Sequence, residues 1–151
     1  MNSRKRLLRW ASGILLVLGA GHLFLLALLA WDDVTGWVDR GIWAAVPLAP
    51  TDGGDGPSVE SLQNEVTFWA GPGSFAVPFI LLGCLIGHLA GREIAVPAWI
   101  GWGLAAYCVV SGVLLVPSPY FAGAVAGVLV IVAARKDDRA EADRDRAMNP
   151  T

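Results

Sequence analysis

LLRWASGILLVLGAGHLFLLALLAW, residues 7–31, is the stretch that decides the fold. Its only charged residue is Arg9, near the start. A run of this length matches the roughly 20 apolar residues that a helix needs to cross a bilayer. A cleaved signal peptide would have a shorter apolar core, of about 7–15 residues, and a small-residue cleavage site. The residues around Leu28-Leu29-Ala30 fit such a site poorly, so the run is read as a retained helix.

Three more apolar runs follow: Val66 to Leu89, Ala95 to Val116 and Pro119 to Ala134. The last is short, helped by Tyr120 at one end and by Arg135 and Lys136 at the other, residues that suit a membrane interface. The whole chain is 55% hydrophobic and only 16% charged, against about 25% charged in a soluble domain. Its charges lie between the four runs, because a charge at mid-membrane costs about 2.5 kcal/mol or more. The pattern predicts an all-α, four-helix transmembrane bundle over residues 1–134, with spans at 7–31, 66–89, 95–116 and 119–134. A charged tail, residues 135–151, completes the chain.

Orientation follows from lysine and arginine. Arg4, Lys5, Arg6 and Arg9 open the chain, Arg92 marks the second connection, and Arg135-Lys136 opens the tail. The connection from Asp32 to Glu65 has Arg40 as its only basic residue among many acids, and Pro117-Ser118-Pro119 has none. The alternation predicts a multi-pass protein of the cell membrane, N-in and C-in.

Val38, Ile42 and Val46 recur at helical spacing beside Trp43, which predicts a short interfacial helix in the first outer loop with Trp37 and Trp43 at headgroup level. Asp32, Asp33, Asn64 and Glu65 are expected to form a solvated rim. Gly71-Pro72-Gly73 and Pro78 are expected to bend or break the second helix, and Pro97 to lie in the first turn of the third.

Membrane helices associate by close packing, which small residues permit. Gly83, Gly87 and Gly91 on the second helix and Gly123 and Gly127 on the fourth carry that spacing. Packing within the bundle is the plainer reading; a homo-oligomer seam, or one with another membrane protein, is the other.

The polar candidates are few. Counted by depth, His22 is level with Ser74, Tyr107 and Cys108, which predicts one polar layer. It would serve either as interhelical hydrogen bonding or as a site for a lipophilic carbonyl compound, quinone or sterol-like. Cys84 and Cys108 lie at different depths, and no disulfide is expected. No metal-ligand spacing, phosphate loop or catalytic motif is found, so neither enzymatic activity nor a cofactor is expected. The net charge of −2 gives no general affinity for nucleic acid. The bilayer is the expected partner, and an oligomeric channel or transporter is a further alternative.

Gly21-His22, the Trp-bearing outer loop, Phe68-Trp69, Pro97 and Pro117-Ser118-Pro119 together resemble a family of small actinobacterial four-helix membrane proteins of unknown function. The likeness covers roughly Leu7 to Ala134. A looser likeness is to DoxX-type four-helix proteins, some of which are tied to quinone or redox systems. Neither resemblance implies catalytic residues.

Overall fold

The computed structural model describes residues 3–40, 59–115 and 118–148. Among these there are helices and no strand. The helices are α1 (Ser3–Leu29), α2 (Trp31–Arg40), α3 (Val59–Ala70), α4 (Ala76–Gly91), α5 (Ala98–Leu114) and α6 (Tyr120–Met148). The chain divides into two compact units. The first comprises Met1–Leu18 with Phe79–Thr151, and the second Gly19–Pro78.

The apolar runs map onto these helices unevenly. The first run is one helix, α1, and among the described residues α1 alone is long and apolar enough to cross a membrane by itself. The second run is divided between α3 and α4 by a turn at Gly71–Phe75. Proline supplies no backbone N–H at residue 72, and the turn closes instead through Gly71 N–H to Thr67, Gly73 N–H to Phe68 and Ser74 N–H to Gly71. Pro78 causes no break. It stands in the first turn of α4, where a missing N–H costs no intrahelical bond. Pro97 lies just ahead of α5 as its N-cap rather than in its first turn. The fourth run continues without a break into the charged tail, so that α6 is helical as far as Met148.

The first unit is built on two seams. Along one, Ser12, Leu15 and Leu16 of α1 meet Gly83 and Gly87 of α4. The Ser12 hydroxyl, buried here, donates to the Gly83 carbonyl at 2.7 Å. A side-chain hydrogen bond between membrane helices averages about 0.6 kcal/mol. Ser12→Ala should therefore lower stability by about that amount, whereas Ser12→Val should cost about 1–3 kcal/mol by overpacking, because Gly87 leaves no more room than a hydroxyl fills. Thermal unfolding of the two variants side by side checks this; equal losses would mean that the hydrogen bond, not the close approach, holds the seam.

Along the other seam α5 and α6 run against each other. Gly101, Leu104, Cys108 and Gly112 are the buried residues of α5, a register of three, four and four that puts them on one helical face. A Cβ added at Gly101 would lie 2.7 Å from the Gly127 carbonyl, and one at Gly127 2.7 Å from both the Ala105 N and the Gly101 carbonyl. These two backbones touch directly. Gly123 faces the side chain of Cys108, and Gly112 faces the ring of Phe121.

The second unit has its own small core. Trp37 of α2 is 6% exposed, packs beside Val34 and Phe68, and donates its indole N–H to Asn64 Oδ1 at 3.1 Å. This corrects two expectations. Trp37 packs against protein rather than presenting its ring at the surface, and Asn64 is buried rather than part of a solvated rim. The reason is α3, whose Asn64 and Phe68, one helical turn apart, present a matching face. The interfacial helix expected around Val38–Val46 overlaps α2 at its start, while Ile42, Trp43 and Val46 lie outside the described residues.

Candidate functional site

The four residues expected to share a polar layer belong to two units, His22 and Ser74 to the second and Tyr107 and Cys108 to the first, and each has local partners. His22 Nε2 lies 2.6 Å from the carbonyl of Ala70. A carbonyl only accepts, so Nε2 is the donor. Ala70 is the last residue of α3, and carbonyls at a helix end lack intrahelical partners. The next turn does not satisfy this one, because the Ser74 N–H goes to Gly71. His22 thus caps a carbonyl that the Gly71-Pro72-Gly73 break set free, with its ring tilted against Phe75 at 4.8 Å. Ser74 serves the same break from the other side: its hydroxyl donates to the Gly71 carbonyl at 2.6 Å and accepts from Ala76 N–H at 3.2 Å.

Tyr107 belongs to an aromatic trio. Its ring lies 6.2 Å from Phe79 and 5.9 Å from Tyr120, and Phe79 lies 6.5 Å from Tyr120, all edge to face. Edge-to-face pairs of this kind add about 0.5–1.5 kcal/mol each. Cys108 is fully buried with its sulfur over Gly123, a packing position with no access for a substrate. Cys84 is exposed, and both thiols are free. Among the described residues no three His, Cys, Asp or Glu side chains are grouped to hold a metal ion.

Of the glycines singled out for packing, Gly83, Gly87, Gly123 and Gly127 each face another helix closely, and Gly91 faces nothing within 4 Å. Gly91 is the last residue of α4, already past the contact, which is why that expectation fails. Three seam residues escaped the sequence reading: Ser12, Gly101 and Gly112. A search for small residues generally, rather than for paired glycines, would have found Gly101-x-x-x-Ala105 and, in the same register, Cys108 and Gly112.

The densest polar cluster is at one end of the first unit. Arg4 donates to the Glu93 carbonyl at 3.0 Å, and its Nε is 3.0 Å from Asp137 Oδ2. Lys5 Nζ is 3.7 Å from Glu93 Oε1, and Lys136 donates to the Ser3 hydroxyl at 3.1 Å. Glu93 has a positive φ of 60°, and the Ile94 N–H reaches back to the Leu89 carbonyl. That combination is the left-handed helix stop usually built with glycine, here made with a residue whose carbonyl and carboxylate both hold α1. Individually these pairs are worth little, since exposed ion pairs contribute about 0–1 kcal/mol. Their consequence is positional: the start of α1, the α4–α5 connection and the middle of α6 meet at one end.

Fold and site together define an all-helical protein held by small-residue seams, with a polar cluster at one end of its larger unit and an N-terminal helix long and apolar enough to span a membrane. The chain belongs to a family of unknown function, DUF6463, whose family model matches residues 6–138. Neither a curated protein nor a solved structure matches it.

Proposed function

We propose that this protein is an integral membrane protein crossing the bilayer four times, with both termini cytoplasmic. In this reading it acts through helix packing, as a scaffold or accessory to another membrane protein or to a second copy, without catalysing a reaction. The observation that carries the topology is the polar cluster. Ser3, Arg4 and Lys5, Glu93, and Lys136 with Asp137 meet at one end of the first unit, as they must if the N-terminus, the second connection and the tail share one side of a membrane. Large apolar side chains exposed along the helices, such as Val17, Val110, Val113 and Val125, support a lipid surround, since few soluble proteins expose such extended apolar area. Trp10, Trp99 and Trp102 are exposed near the polar end, where an aromatic belt is expected.

Helix lengths are compatible with this reading. With 16 and 17 residues, α4 and α5 are about 24 and 26 Å long at 1.5 Å per residue, against a hydrocarbon core of about 30 Å. A mismatch of this size is met by local thinning at a fraction of a kcal/mol per Å. In α6 the apolar first half, Tyr120 to Ala134, serves as the crossing, and the charged remainder extends into the cytoplasm.

Two measurements test the proposal. The protein should remain in membranes washed with alkaline carbonate. On a Cys84→Ala background, a membrane-impermeant maleimide should label Asp55→Cys in intact cells and label Arg144→Cys only after permeabilisation. The reverse labelling pattern would overturn the topology, and extraction by carbonate would overturn the membrane reading.

A further inference from the structure

The polar end of the first unit has more cations than its own contacts use. Arg4 and Lys5 are engaged by Asp137 and Glu93, and Lys136 by Ser3. Arg6, Arg92 and Arg135 are exposed, and their guanidinium groups have no ion pair or hydrogen bond among the described residues. Each is a chain neighbour of a clamped residue: Arg6 of Lys5, Arg92 of Glu93 and Arg135 of Lys136. The contacts that close the clamp therefore bring the backbones of these three arginines to the same end of the unit.

Two further features point to the kind of partner. Trp10 lies six residues beyond Arg4 on α1, about 9 Å along the axis, and Trp99 and Trp102 occupy the first turns of α5; all three are exposed. Cationic rim and apolar aromatic flank are adjacent, which suits a molecule with an anionic head and apolar tails. Between α1 and the end of α4 a cleft of about 30 Å³ is lined by Arg4, Lys5, Leu8, Ala90 and Glu93. Its volume equals about one water molecule, so it admits a single oxygen and not a headgroup. The head must lie over the mouth of the cleft, where the rim arginines are.

We propose that the polar end of the first unit binds the phosphate headgroup of anionic phospholipids through Arg6, Arg92 and Arg135, with the acyl chains against the apolar flank that begins at Trp10. Guanidinium groups suit this role because they are always charged and match phosphate oxygens in pairs. The proposal rests on the membrane reading above.

The test uses the full-length protein in neutral detergent. Its thermal unfolding midpoint is followed while phosphatidylglycerol, phosphatidylcholine or inorganic phosphate is titrated in. Phosphatidylglycerol should raise the midpoint saturably, and neither of the others should at equal concentration. Each of Arg6→Gln, Arg92→Gln and Arg135→Gln should weaken the apparent affinity for phosphatidylglycerol about fivefold, the equivalent of about 1 kcal/mol per basic residue near an anionic surface. Among the described residues none of these arginine side chains has a partner, so the lipid-free midpoint should stay near that of the wild type. Equal responses to the two lipids would overturn the proposal, as would a full response in the triple variant. A rise with inorganic phosphate alone would overturn it too, by assigning the rim to a free anion. Wild-type protein that resists carbonate extraction yet shows no preference for phosphatidylglycerol overturns this inference and leaves the membrane reading standing. Carbonate-extractable protein overturns both.

Discussion

Gly127→Val is expected to lower the stability of the protein by about 3 kcal/mol, the upper end of the range for overpacking a close-packed interior, and to do so without adding a polar atom. The Cβ of residue 127 would lie 2.7 Å from the Ala105 nitrogen, 2.7 Å from the Gly101 carbonyl oxygen and 2.9 Å from the Ala105 Cβ. Two of these three atoms are backbone, and a backbone atom within a helix cannot swing away as a side chain can. The valine is accommodated only if α5 and α6 separate along their length, which forfeits the dispersion contacts of the whole seam, since a radial gap of 0.5–1 Å already loses about a quarter to a half of each. Gly103, also on α5, faces nothing within 4 Å, and Gly103→Ala should be harmless. Unfolding in detergent, followed by circular dichroism against temperature, reads both. A Gly127→Val protein as stable as the Gly103→Ala protein would mean that α5 and α6 do not meet on this face.

The second large effect belongs to the other unit. Trp37→Ala should cost about 3–5 kcal/mol, the usual range for deleting a buried aromatic side chain. The loss has two parts, which a second substitution separates. Trp37→Phe keeps an apolar ring beside Val34 and Phe68 but removes the indole N–H, leaving the buried Asn64 Oδ1 without its donor, at about 1–3 kcal/mol. Hydrogen exchange resolved by segment is the suitable measurement, because it reads Trp31–Arg40 and Val59–Ala70 directly. Protection in both segments should fall strongly in Trp37→Ala and less in Trp37→Phe. Unchanged protection in α3 on loss of Trp37 would show that α2 and α3 are not stabilised by this contact.

Both predictions concern residues that sequence reading placed only in part. Gly127 was legible as a packing glycine because Gly123 stands four residues before it, yet the atoms it meets, on Gly101 and Ala105, were not. Trp37 was read as an interface anchor from its place beside the apolar stripe of Val38, Ile42 and Val46. Amphipathic pattern says that a face is apolar, and a lipid headgroup region or another helix would satisfy it equally. The choice was made by α3, which brings Phe68 and the amide oxygen of Asn64 to the indole.

The same division runs through the candidate site. That the chain is helical, where its apolar runs lie, and that Gly71-Pro72-Gly73 interrupts the second of them were all written in the sequence. Helix formation, its interruption by proline and hydropathy are local properties, fixed within a turn or two of each residue. The environment of His22 was not. Depth matching put it with Ser74, Tyr107 and Cys108, but its bond goes to the backbone carbonyl of Ala70, freed by the very break that the sequence announces. Side-chain identity does not reveal an unsatisfied carbonyl; only the path of the chain after the break does. Likewise the basic residues at the N-terminus and in the tail were plain, while the pairing of Arg4 with Asp137 across the length of the chain was decided by which helix ends meet. Composition and period determine which segments are helical and which are apolar. Which face of each helix is covered, and by what, depends on how closely two backbones can approach, and that is a property of pairs of segments that no single segment contains.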